Sequence, residues 1–141
     1  MWAEDDLGPT APPCLESYSA PEYYKVYRMY HGTSWEAAEQ IFEKGFLQSC
    51  KGMLGRGVYL GRDLEKASRY PLNLPDNQRM IVRVKVNVRR VIKIDRQRHP
   101  LQKTWHDDGY NTAWCPPNCG MVESGLEEFC VWEDRTNKSL K

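Results

Sequence analysis

Two stretches of this 141-residue chain bring chemically capable residue types close together. In "KGMLGRGVYLGRD", Lys51 to Asp63, the glycines Gly52, Gly55, Gly57 and Gly61 fall within thirteen residues, a density that raises the question of a phosphate cradle. Such a cradle must follow a strand and open a helix, so that backbone N–H groups and the helix dipole meet the anion. Here Gly55-Arg56-Gly57 comes before a strand-like run, and no G-x-x-x-x-G-K-[ST] is present. On local grounds the glycines supply turn dihedrals closed to other residues. In "WHDDGYNTAWCPPNC", His106, Cys115 and Cys119 are all metal-ligand types. A fourth ligand is missing, however, and Pro116-Pro117 is not a knuckle pattern, so no metal is expected.

These residues have to be positioned by elements, and the clearest is "RMIVRVKVNV", Arg79 to Val88. Met80, Val82, Val84, Val86 and Val88 alternate with Ile81, Arg83, Lys85, Asn87 and Arg89, the period-two pattern of a half-buried strand. "YKVYRMYH", Tyr24 to His31, also reads as a strand from its aromatic and β-branched content. A helix is expected to follow, with Thr33 as N-cap, Glu36 completing a capping box, Ala38, Ile41 and Phe42 on one face, and Gly45 as the stop. "GVYL" reads as a short strand, and Asp63 is placed to cap the short helix "LEKASRY" before Pro71. "VIKID", Val91 to Asp95, is either another strand or a bent continuation of the one before it. A long loop is expected from about Gln97 to Gly125, and "LEEFCVWED" suits a last strand.

Short helices without a βαβ rhythm indicate an α+β class dominated by antiparallel strands. The length suits one domain, expected over residues 23–134, between a poorly ordered proline-rich arm (1–22) and a tail (135–141). Twenty Lys and Arg against nineteen Asp and Glu leave a net charge of +1, so charge demands neither nucleic acid nor an anionic membrane. No secretory pattern opens the chain and no apolar run approaches membrane-helix length, so a cytoplasmic protein with no membrane partner is expected. Five irregularly spaced cysteines do not suggest a disulfide framework.

Three blocks occur in order: a strand leading into His31-Gly32-Thr33 and a helix; Gly55-Arg56-Gly57-Val58-Tyr59 followed by Lys66-Ala67-Ser68-Arg69-Tyr70; and Glu128-Phe129-Cys130-Val131-Trp132. Together they resemble the catalytic domain of the poly(ADP-ribose) polymerase family, the diphtheria-toxin-like ADP-ribosyltransferases, from about Tyr27 to Asp134. With "WHDDGYNTAWCPPNCGM" the chain looks more narrowly like a fish interferon-inducible group first described as reovirus-induced genes. The resemblance implies two packed, mainly antiparallel sheets with short helices around an NAD cleft. It further implies transfer of a single ADP-ribose from NAD to a protein or nucleic-acid acceptor, and an antiviral setting.

Carried over residue by residue, the resemblance makes His31, Tyr59 and Glu128 a His-Tyr-Glu triad. His31 would bind the adenosine ribose, Gly32 would hold the nicotinamide carboxamide, and Thr33 and Ala67 would border the same cofactor site. Tyr59 and Tyr70 would enclose the cationic nicotinamide ring, which a tyrosine face attracts by about 0.5–2 kcal/mol. Glu128 would steady the positive charge that moves onto the ribose as the glycosidic bond breaks. Ala67 stands where many family members have a serine that bonds the carboxamide, and "LQSCKGML" is shorter than the usual loop over the adenosine side. Taken one at a time, these residues have ordinary readings: a half-buried histidine, core tyrosines, a solvated glutamate pair at Glu127-Glu128. Strand alternation puts Glu127 and Glu128 on opposite faces, and the family pattern selects Glu128. Trp105, Asp107, Asp108 and Tyr110 either shape the approach of a target or, like Trp114, pack their loop onto the sheet.

Overall fold

The computed structural model describes residues 2–4, 19–68, 72–122 and 125–132. Its spine is the strand foretold by the valine alternation. β1 (Trp2–Glu4), β2 (Val26–Ser34) and β5 (Arg79–Asn87) form a three-stranded antiparallel sheet with β5 in the middle. Val82, Val84 and Val86 of β5 are buried while Arg83 and Lys85 are exposed, since successive side chains leave a strand on opposite faces. Across the ladder Tyr27 faces Val86, Met29 faces Val84 and His31 faces Val82. The proline-rich arm contributes its first residues to this sheet as β1, whereas residues 5–18 and the tail from 133 onward lie outside the described residues.

β3 (Ser49–Gly52), β4 (Gly55–Leu60), β6 (Val91–Lys93), β7 (Thr112–Cys115) and β8 (Glu128–Val131) form a five-stranded sheet in the order β3-β4-β8-β7-β6. Its pairs are antiparallel except β6 with β7, which is parallel. The class is thus α+β, with one antiparallel sheet, one mixed sheet and few helices. β6 is neither a continuation of β5 nor its partner. The chain leaves the first sheet at Val88 to Arg90, where Arg89 takes a left-handed φ of 53°, and enters the second.

Three local expectations change. The glycine stretch is a β3–β4 hairpin turning at Met53 and Leu54 rather than an open turn region. The segment expected as a loop from Gln97 to Gly125 contains β7, which lies between β6 and β8. All four residues of β7 are buried, so it shows no alternation by which to find it. Finally, α1 (Trp35–Lys44) is capped by Ser34, whose hydroxyl accepts from the Ala37 N–H at 3.1 Å. Thr33 is one residue too early: α1 starts at Trp35, so the half-in position before it is Ser34, whose extended backbone (φ −84°, ψ 162°) ends β2.

The main core lies between the sheets, where Tyr27, Met29 and the β5 valines meet Val58, Leu60, Trp114, Phe129 and Val131. α1 contributes Ala38 and Ile41 to it, while Phe42 is 58 % exposed. Ile41 and Phe42 are about 100° apart around the helix, too far for both to share one narrow contact. Gly45 stops α1 at a φ of 84° and donates its N–H to the Ile41 carbonyl. A second cluster, including Leu54, Ile94, Trp105, Ala113, Cys115 and Cys130, covers the other face of the larger sheet. No helix among the described residues is long and apolar enough to cross a membrane.

Candidate functional site

The two sheets are stitched together where β2 passes the end of β4. Tyr30 donates its N–H to the Gly61 carbonyl at 2.7 Å, and Gly61 donates back to Tyr30 at 3.1 Å. Beside this stitch opens a cleft of about 440 Å³ whose lining includes His31, Gly32, Tyr59, Ala67 and Glu128. Three strands and one helix deliver them: β2, β4, β8 and α2 (Leu64–Ser68). Asp63, at the start of α2, lines the cleft as well. Thr33 is 8 % exposed and is not among the lining residues. Tyr70 lies outside the described residues.

His31 is fixed through one ring nitrogen. Its Nδ1 is 2.8 Å from the Tyr59 carbonyl oxygen, which can only accept, so in the neutral ring Nδ1 carries the proton. Burial lowers the His31 pKa, outweighing the opposite pull of that carbonyl, and the ring is neutral at neutral pH. Nε2 then bears a lone pair suited to a hydroxyl donor. Phe46 meets the ring edge-on, with centroids 5.4 Å apart.

Tyr59 is fixed through its hydroxyl, which donates to the Gly55 carbonyl at 2.6 Å and accepts from the Leu54 N–H at 3.0 Å. Burial, reinforced by Cys130, raises its pKa far above the ordinary phenol value. Tyr59 therefore presents a neutral aromatic surface and does not exchange protons. The ring lies against the backbone of Gly52, where an added Cβ would come within 2.0 Å of Tyr59 Cζ and Oη. At Gly57 a Cβ would fall 2.5 Å from the Cys130 sulfur. Close approach of neighbouring groups, more than turn geometry, is what demands glycine at these two positions.

Glu127 and Glu128 part company as strand alternation requires. Glu128 is half-buried at the cleft, opposite Cys115 in the β7–β8 ladder. Glu127 is fully buried and takes a fork from Arg62: Nε to Oε2 at 2.7 Å and Nη2 to Oε1 at 2.5 Å. The Trp114 indole N–H adds a third bond to Oε1 at 2.9 Å. The guanidinium lies 5.0 Å from the Tyr27 ring centroid and 5.1 Å from that of Phe129, and Nη2 also donates to the Ser19 carbonyl. Arg62 thereby ties the end of β4, three residues past Tyr59, to the residue before Glu128. Sequence reasoning did not single out Arg62. Its only local signal is a charge held between Gly61 and a helix start, which is common on surfaces.

The Trp105 to Cys119 segment separates into packing and exposed parts. Trp105 is 1 % exposed and donates its indole N–H to the Leu54 carbonyl at 2.6 Å, and Trp114 is buried in β7, so both pack the segment onto the sheet. His106 stacks on Trp132 at 3.7 Å. Asp107 and Asp108 are exposed, and the Arg90 guanidinium sits 5.1 Å over Tyr110. Among the described residues no group of three or more His, Cys, Asp or Glu side chains is arranged to hold a metal. No protein-family model matches this chain, and no curated protein matches it either.

Proposed function

We propose that this chain is an NAD-dependent mono-ADP-ribosyltransferase, of the ADP-ribosyltransferase fold, acting on a protein or nucleic-acid acceptor. The observation that carries the reading is the convergence of His31, Tyr59 and Glu128, far apart in sequence, on one cleft together with Gly32 and Ala67. The cleft's volume falls within the usual range of ligand sites, about 300–1,000 Å³. Its chemistry also suits the substrate. The neutral Tyr59 ring offers a face to a cationic nicotinamide, and Gly32 offers backbone groups to the carboxamide. Nε2 of His31 accepts from a ribose hydroxyl.

Glu128 is the charged group in this scheme. Its carboxylate accepts from the hydroxyls of the nicotinamide-bearing ribose and lies where positive charge grows as the C1′–N bond breaks, the bonding pair leaving with nicotinamide. The acceptor nucleophile then bonds to C1′ and passes its proton to Glu128. Tyr59, with its pKa raised, takes no part in proton transfer. The resemblance to the interferon-inducible group adds an antiviral setting to the proposal.

Ala67 favours a second reading, a module that holds NAD or ADP-ribose without turnover. It brings a methyl group to the cleft wall, which forgoes a hydrogen bond worth about 0.5–1.5 kcal/mol. Incubation of the full chain with labelled NAD and candidate acceptors separates the readings, run beside Glu128→Gln and His31→Ala. Transfer by the parent chain that both substitutions abolish is expected. Transfer that survives both overturns the site, binding without transfer selects the second reading, and no NAD binding at millimolar concentration by calorimetry overturns both.

A further inference from the structure

The sulfur atoms of Cys115 and Cys119 are 3.2 Å apart, in contact and not joined in a disulfide. Nothing in the scheme above uses them. Cys115 ends β7 and lies opposite Glu128 in the β7–β8 ladder. Cys119 sits in the loop that begins at Pro116-Pro117, where two proline rings restrict the backbone between the thiols. That loop doubles back: Asn118, at a left-handed φ of 58°, donates its N–H to the Gly125 carbonyl at 2.9 Å. Two reactive groups held in contact by a stiff connection react far faster than the same groups diffusing.

The other described cysteines are differently placed. Cys50 is exposed. Cys130 is buried, and burial pushes its thiol up to about 12, so it stays protonated and unreactive near neutral pH. Cys119 is half-buried while Cys115 is buried, which makes Cys119 the point of attack and Cys115 the resolving group.

We propose that Cys115 and Cys119 form a two-electron redox site that closes to an intramolecular disulfide with peroxide and, in closing, stiffens the loop leading to Glu128. The Cys119 thiol gives up its proton, the thiolate attacks a peroxide oxygen, the O–O bond breaks, and the departing hydroxide takes up that proton and leaves as water, so that a sulfenic acid remains. The Cys115 sulfur then displaces the hydroxyl from that sulfur, the S–S bond forms, and the departing hydroxide takes up the Cys115 proton as a second water. The two thiols lose two electrons and one peroxide gains both.

The test needs no NAD and is independent of the transferase reading. The full chain is treated with hydrogen peroxide, its remaining thiols are alkylated, and the peptide Thr104–Glu123 is weighed. That peptide is expected to carry neither alkyl group and to weigh two hydrogens less than the unalkylated dithiol peptide, and dithiothreitol should reverse the change. Closure should be at least about tenfold faster in the native chain than in urea, a small part of what enforced contact can give. Amide exchange over residues 118–128 should slow on oxidation and stay unchanged in Cys119→Ser. The proposal is overturned if both thiols remain alkylatable after Cys50 has reacted, if the bond joins either cysteine to another partner, if urea does not slow closure, or if the disulfide forms without slowing exchange. The native-versus-urea comparison uses the parent chain alone, so it decides the matter even if Cys119→Ser fails to fold.

Discussion

Glu127 and Glu128 are adjacent and chemically alike, yet they belong to two different regions. One is the buried cluster of Arg62, Glu127 and Trp114, in which the carboxylate receives a guanidinium fork and an indole N–H. The other is the cleft of His31, Tyr59 and Glu128. In the first region charge must be satisfied inside the protein, because a buried unpaired ion costs several kcal/mol. In the second, the fixed groups are fixed by one end only: His31 through Nδ1 and Tyr59 through its hydroxyl. The ring nitrogen and aromatic surface left over are the parts with which a ligand can be bound. A buried polar cluster in which the carboxylate is fully engaged, though Arg62 Nη1 has no hydrogen bond among the described residues, sets geometry, and the more open cleft next to it uses that geometry.

Removing Arg62 should have the largest effect. Arg62→Ala leaves Glu127 buried without its cation and is expected to destabilise the fold by about 3–5 kcal/mol, measured by chemical denaturation. Replacing both partners with methionine should cost less than that single change. If Arg62→Ala costs under about 1 kcal/mol, the buried cluster is not the structural member of the comparison. Glu128→Gln should behave in the opposite way, with stability changed by no more than about 0.5 kcal/mol and transfer lowered about a hundredfold or more. A large loss of stability would put Glu128 in the same class as its neighbour. Gly52→Ala pushes a methyl group into the Tyr59 ring and should cost about 1–3 kcal/mol by overpacking. An unchanged melting transition would show that the ring can move away.

The smallest effect is on pH dependence. Because burial lowers the His31 pKa from its ordinary 6.5, the unfolded chain takes up that proton before the folded one. The resulting stability is complete above about pH 6.5 and declines as pH falls from there towards the lowered folded value. His31→Gln should flatten this part of a stability–pH curve. An unchanged slope would mean that another group produces it.

How much of this can be read in advance varies by residue. β5 is legible because one of its faces meets the core and the other meets solvent, which writes a period of two into the sequence. β7 is not, because "TAWC" is buried on both faces and leaves no period. The N-cap is ambiguous by one residue in the sequence because Thr33 and Ser34 offer the same hydroxyl chemistry. What decides between them is where the first helical turn begins, at Trp35, which makes the residue just before it the cap. The triad positions stood out only as blocks in order, since a histidine at a strand end or a tyrosine after glycines is common by itself.

Sequence alone determined the α+β class, the β5 strand, the Gly45 helix stop and the opposite facing of Glu127 and Glu128. Each follows from local backbone periodicity or a local dihedral requirement. Tertiary structure alone decided that Arg62 and Trp114 hold Glu127, that Gly52 and Gly57 are glycine because Tyr59 and Cys130 crowd them, and that Cys115 touches Cys119. It also decided that His31, Tyr59 and Glu128 share one cleft. The cysteine pair and the Gly52–Tyr59 contact are local, within a loop and a hairpin, and the others join residues thirteen or more apart; each depends on how side chains meet in three dimensions, which no local pattern encodes.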